Sequence, residues 1–132
     1  MTRLRFRVEK LIRDGLPAMM RGQGLAVFER RLDEAEFVAS LKAKLVEEAL
    51  EAQAAESEGD LVEELADLSE VMLVLARTQG LSAADIETRR LTKQSGRGGF
   101  GGRIFNAAVE IDEGLPAADY YLARPTQYPR VE

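Results

Sequence analysis

Three residue types are missing altogether from this chain of 132 amino acids, cysteine, histidine and tryptophan. The first absence excludes disulfides, a thiolate nucleophile and sulfur ligands for a metal. The second removes the side chain that most often serves as general base or metal ligand near neutral pH. Any catalysis falls to carboxylates, lysine, arginine, hydroxyls, the backbone or a metal ion. Aromatics are scarce, at 6%, and the net charge is -5. Phosphate neutralisation rewards basic surfaces, so nucleic acid is not the expected partner. No apolar run approaches the ~20 residues of a membrane span, and the basic start MTRLRFRVEKLIRD lacks the unbroken apolar stretch of a secretory signal. The expected location is the cytoplasm, with no membrane partner.

What is present suits one globular domain. With 45% hydrophobic and 31% charged residues, the chain is long enough to bury a core and too short for a second full domain. We expect a single domain over 1–132, with its core at about 33–96. Residues 1–12 alternate, with Leu4, Phe6 and Val8 set against Arg3, Arg5 and Arg7, which predicts a short extended segment. A helical turn follows near Pro17–Arg21, and LAVFERRL reads as a second short strand. Asp33 with Glu36 forms a capping-box pattern that opens a long helix running to about Ser57. Gly59 and Asp60 read as a break, and a second long helix spans Leu61 to about Gln79, ending at Gly80 as a left-handed cap. Ser82 with Asp85 opens a third helix that closes near Gly96. IFNAAVEI reads as another strand, and the proline-bearing tail from Gly114 as irregular. The fold class is therefore all-α: a bundle built on an antiparallel helix hairpin plus a third helix, with short peripheral strands. The apolar faces exceed what a lone hairpin covers, so the bundle is expected to be completed by a second subunit, as a homodimer or higher oligomer.

The acids are where the pattern departs from an ordinary amphipathic helix. At about 100° per residue, Phe37, Leu41, Leu45 and Ala52 share an arc of about 80°. Glu48 falls inside that arc, Lys44 and Glu51 at its edge, and Glu47 further round. On the second long helix the arc holds Leu65, Leu68, Met72 and Leu75, with Glu64 and Asp67 bordering it, while Glu63 and Glu70 point to solvent. Inward carboxylates lose hydration and repel one another, and one lysine does not offset four of them. A divalent ion does. The pairs Glu48/Glu51 and Glu64/Asp67, each spaced i, i+3, converge if the two helices lie antiparallel. All-oxygen ligands favour a hard ion, Mg2+ first and Mn2+ as a substitute. A lone E-x-x-E is far more often a solvated stripe than a ligand pair. Two such pairs encroaching on apolar arcs reverse that weighting.

A second constellation is basic. Lys93 and Arg97, spaced i, i+4, lie on one helix face, and Arg97 and Arg103 flank the glycines of RGGFGGR, where backbone can approach a ligand closely. This suits phosphate oxygens. Taken alone, a flexible connector with incidental arginines is an equally good reading. A helix precedes these glycines, so they form neither a P-loop nor a Rossmann turn.

The order Lys44, EEALE, a short spacer, EELADL, then Lys93, Arg97 and GGF resembles the MazG-like and phosphoribosyl-ATP-pyrophosphohydrolase-like members of the all-α NTP pyrophosphatase superfamily. KLIRDGLP is similar to the N-terminal signature of one branch, departing from it at Gly15, where that branch carries a lysine. The likeness covers about residues 10–104. It implies a Mg2+-dependent hydrolase that cleaves a nucleoside triphosphate between the α and β phosphates to give a monophosphate and pyrophosphate. It further implies Glu48, Glu51, Glu64 and Asp67 as metal ligands and Glu47 as a water-orienting group. Lys44, Lys93 and Arg97 would contact phosphates, joined by Arg103, Lys10 and Arg13 on the substrate side. Catalytic roles thus fall to Glu47, Glu48 and Lys44. Phosphoryl chemistry of this kind needs charge neutralisation and positioning more than a protein nucleophile, so a chain without Cys or His is equipped for it. The alternatives are phosphoribosyl-ATP as substrate, a non-catalytic helical dimerisation module and a single-strand nucleic-acid binder using RGGFGGR. A di-iron carboxylate bundle is excluded, because its Glu-x-x-His motifs need histidine.

Overall fold

The computed structural model describes residues 2–132 and contains helices α1 (Leu16–Gly22), α2 (Glu34–Ala54), α3 (Glu58–Thr78), α4 (Ala83–Arg97) and α5 (Pro116–Leu122). The fold is all-α, and no strand occurs among the described residues. The three expected strands are therefore corrected. Residues 2–12, 25–32 and 104–111 contain stretches outside any helix that join no ladder, and Met1, part of the first expected strand, lies outside the described residues. Period-two alternation yields a strand only where a neighbour supplies partners for its N–H and C=O groups. Leu4, Phe6 and Phe28 instead stay exposed, and the Arg5 guanidinium stacks 4.5 Å from the Phe28 ring centroid.

The helix boundaries follow their caps. The Asp33 carboxylate accepts the Glu36 N–H at 2.8 Å at the start of α2, and Glu36 turns its own side chain to Arg30 at 2.7 Å. Between α2 and α3 the sequence reading needs correction. Helix α2 stops at Ala54, and the break lies at 55–57. Ser57 is the N-cap of α3, its hydroxyl accepting from the Asp60 N–H at 3.1 Å. Gly59 and Asp60 belong to the first turn, where free N–H groups make glycine tolerable and an acid favourable. At the far end Gly80 has φ 73°. Its N–H donates to the Arg77 carbonyl and that of Leu81 to the Ala76 carbonyl, both at 3.0 Å, a paired closure that needs the left-handed residue. Ser82 and Asp85 cap α4 reciprocally at 2.8 and 3.1 Å. The tail contains helix α5, which starts on Pro116; proline at the first helical position loses no hydrogen bond.

Two compact units divide the chain, one ending at Thr92 and the other spanning Lys93–Glu132. In the first, α2 and α3 pack together through a three-residue connection. Leu41 is 2% exposed and Ala76 8%. The covered side of α2 runs through Phe37, Leu41, Lys44, Leu45, Glu48 and Ala52, as its arc predicts. On α3 the covered side runs through Glu64, Asp67, Leu68, Val71 and Leu75, whereas Leu61, Leu65 and Met72 are exposed. Over Leu61–Met72 the covered face is therefore turned by roughly 60° from the centre of the apolar arc, toward the acids, while Leu73, Val74, Leu75 and Ala76 are covered on several sides. In the second unit Tyr120, Tyr121 and Tyr128 pack edge-on or tilted with centroids 5.1–5.8 Å apart, and Phe100, Ile104 and Phe105 are almost fully exposed.

Candidate metal centre

Rotating α3 toward its acidic edge places Glu64 against α2 at the level of Glu48 and Glu51. One carboxylate oxygen from each of the three lies within 4.8 Å of the others. They come from two helices, as the paired i, i+3 motifs predict. Glu48 is the innermost, only 5% exposed. Its Oε1 lies 3.5 Å from Lys44 Nζ, one turn earlier on the same helix, while its Oε2 is buried without a hydrogen-bond partner, as is Oε2 of Glu64. A buried carboxylate oxygen left unpaired forfeits its hydration with nothing in return. Two such atoms in one group of three acids form a cluster that could hold a cation.

The electrostatics agree. Burial, then the neighbouring Glu51, pushes the Glu48 carboxyl above the ordinary carboxylate range, against the pull of Lys44. Glu64 is pushed up to about 7, first by sharing a proton with Glu51, then by burial and by the charges of Glu51, Asp67 and Glu48. Raised in this way the cluster holds a proton more tightly than isolated carboxyls do, and a bound ion would compete with that proton. The donor set is oxygen only, from three carboxylates on two rigid helices, which fits a hard divalent ion such as Mg2+ or Mn2+.

The remaining predicted residues divide into two groups. Asp67 lies on the same edge of α3 but stands outside the three-oxygen group, and it accepts a 2.6 Å hydrogen bond from Arg13. Glu47 is held by Lys10 Nζ at 2.9 Å and Lys44 Nζ at 3.5 Å; the Lys10 ammonium keeps its carboxyl below the usual range. Lys10 and Arg13, expected beside substrate phosphates, are thus engaged by acids, and sequence spacing gave no sign of these pairings across 37 and 54 positions. Glu9, just before Lys10, has φ 47°, a backbone state uncommon outside glycine. A cavity of about 110 Å³ opens here, lined by Glu9, Lys10, Leu11, Ser40, Ala43, Lys44 and Glu47; Ser40 is a lining residue that the sequence reading missed. Glu63 and Glu70 are exposed, as the wheel predicts. Lys93, Arg97 and Arg103 belong to the second unit, the first two at the end of α4. All three are exposed, and Arg103 has φ 58°.

Scanned against family models, curated proteins and solved structures, the chain matches none of them. No helix among the described residues is long and apolar enough to cross a membrane.

Proposed function

We propose that the chain is a divalent-metal-dependent nucleotide pyrophosphohydrolase whose ion is held by Glu48, Glu51 and Glu64. The observation that carries this reading is the buried, unpartnered Glu48 Oε2 within a group of three convergent carboxylates. The likeness of the Lys44, EEALE, EELADL, Lys93 and Arg97 order to the all-α NTP pyrophosphatases supplies the reaction. Bound there, a Mg2+ ion would neutralise phosphate charge and acidify a water. Lys44 favours the ionised form of Glu48 and orients it, and Glu47, fixed by two lysines, accepts a proton from a water or aligns it. Asp67, paired with Arg13, borders the three ligands. The same likeness implies Lys93, Arg97 and Arg103 as phosphate contacts. The products are a nucleoside monophosphate and pyrophosphate.

We infer further that α2 and α3 form an antiparallel hairpin and that the working form is a homo-oligomer. The three-residue connection between two packed helices leaves little geometry besides antiparallel. Leu61, Leu65 and Met72 occupy one face of α3 within about 40° and stay 38–49% exposed, a stripe suited to a second copy. The cavity beside Glu47, at about 110 Å³, is below the roughly 300 Å³ at which pockets enclose a drug-sized ligand, so enclosing a nucleoside calls for further surface. Incubation of the purified protein and Mg2+ with a panel of ordinary, damaged and phosphoribosylated nucleotides tests the proposal, with pyrophosphate and orthophosphate measured separately. Turnover that Glu48→Gln removes supports it. An intact panel shifts the reading to a non-catalytic helical module.

A further inference from the structure

The acids at the facing edges of α2 and α3 exceed what one divalent ion neutralises, and the segment ahead of α1 supplies much of the difference. Glu47, Glu48, Glu51, Glu64 and Asp67 are five carboxylates. Lys10, Arg13 and Lys44 are the three cations paired with members of this set: Lys10 with Glu47, Arg13 with Asp67, and Lys44 with both Glu47 and Glu48. Fully ionised, five negative charges against three positive leave two, the charge of a single divalent ion. The pairing is also selective. The two N-terminal cations take Glu47 and Asp67, whereas Glu48, Glu51 and Glu64 converge on one another with two buried oxygens unpartnered.

We propose that Lys10 and Arg13 stand where a second divalent ion would otherwise be drawn, and so set the stoichiometry of the centre at one ion per chain. The proposal rests on reading Glu48, Glu51 and Glu64 as a metal site. Paired metal sites share carboxylates between ions about 3.5–4 Å apart, and the second ion needs acids beyond those that hold the first. Here the acids available for that purpose are already ion-paired. A second ion has to displace an ammonium or a guanidinium while being repelled by the first ion. With both side chains neutralised, five negative charges face Lys44 and one bound ion and two remain uncompensated, which restores the drive for another. Lys10 and Arg13 are about half exposed, with side-chain values of 52% and 59%, so they can be replaced without emptying the core. They act as positioning residues, holding Glu47 and Asp67 away from the ion.

Mn2+ titration of the whole chain, followed by calorimetry and electron paramagnetic resonance, tests this. The wild type is expected to bind one Mn2+ per chain with an isolated-ion spectrum. The Lys10→Gln/Arg13→Gln variant is expected to bind two, with the spectrum of a spin-coupled pair, and the Lys10→Arg/Arg13→Lys variant to return to one. One ion in both the wild type and the Gln variant overturns the proposal, as do two ions in the wild type, and either result leaves the metal centre standing. No ion in the wild type overturns the centre itself and the proposal with it. Circular dichroism establishes that the double variant is folded. If it is not, the single variants decide, and an unchanged count of one in both overturns the proposal.

Discussion

Arg13 donates a 2.6 Å hydrogen bond to Asp67, joining the segment before α1 to the acidic edge of α3 across 54 positions. Both side chains are well exposed, at 59% and 39%, so water and salt screen the pair and it adds little to stability. Its consequence is orientation. Arg13→Gln should shift the melting temperature by no more than a few degrees, a change that differential scanning calorimetry resolves; a large drop would make the contact a structural clasp.

Removing a ligand should separate the inward acids from the outward ones. Glu48→Gln, Glu51→Gln and Glu64→Gln nearly preserve volume and delete one charged oxygen each, so each should weaken Mn2+ binding at least tenfold and abolish most turnover. Asp67→Asn should cost less in binding, because Arg13 already occupies that carboxylate. Glu63→Gln and Glu70→Gln should leave both quantities unchanged. Equal losses in the two sets would mean that the exposure pattern of α3 does not govern ligation.

The metal-free chain should lose stability as pH rises. The Glu64 carboxyl, raised from 4.5 to about 7, binds its proton more tightly in the folded state. Its contribution is fully present below about 4.5 and is lost as pH climbs through about 7. Glu47, shifted the opposite way by Lys10, acts only below 4.5, outside that window. Melting curves in EDTA should therefore fall between pH 5 and 8, and Glu64→Gln should flatten that component. Mg2+ should raise the melting temperature more at pH 8 than at pH 6, since the ion competes with the shared proton.

Leu41 carries the packing of α2. At 2% exposed, Leu41→Ala should destabilise the chain by about 2–5 kcal/mol through lost burial and a residual cavity. Val46→Ala, on the exposed back of the same helix, should cost well under half as much. Urea unfolding of the two variants provides the comparison.

The bond that breaks is open to direct reading. Chromatography of a triphosphate reaction should give a monophosphate and pyrophosphate, and diphosphate with orthophosphate as first products would contradict the α–β assignment. Lys93→Ala and Arg97→Ala should lower turnover while leaving Mn2+ affinity intact, because they address charge on the phosphates rather than the ion. For the assembly, Leu65→Glu or Met72→Glu should convert an oligomer to monomer in light scattering; a wild-type monomer at micromolar concentration removes that part of the reading.

Helix content was legible because its causes are local. Asp33, Ser82 with Asp85, and Gly80 announce ends through bonds to residues three to five positions away, so α2, α3 and α4 could be placed from the chain alone. The expected strands did not form among the described residues, since alternation in LAVFERRL specifies a side-chain pattern but cannot supply a neighbour to pair with. The break before α3 was misread because glycine is a poor residue inside a helix yet costs little in a first turn, and Ser57 was the stronger signal.

For the candidate centre, periodicity alone turned Glu48 inward, because a residue's angle on a helix is fixed by its number. How far Glu64 comes round was decided by the packing of α3 on α2, which exposed Leu65 and Met72 and brought the acidic edge to Glu48 and Glu51. Lys10 and Arg13 reach Glu47 and Asp67 only through the path of the chain between them. Sequence determines which side chains share a helix face; a contact across 37 or 54 positions depends on how helices rotate and loops return, and that belongs to the tertiary structure alone.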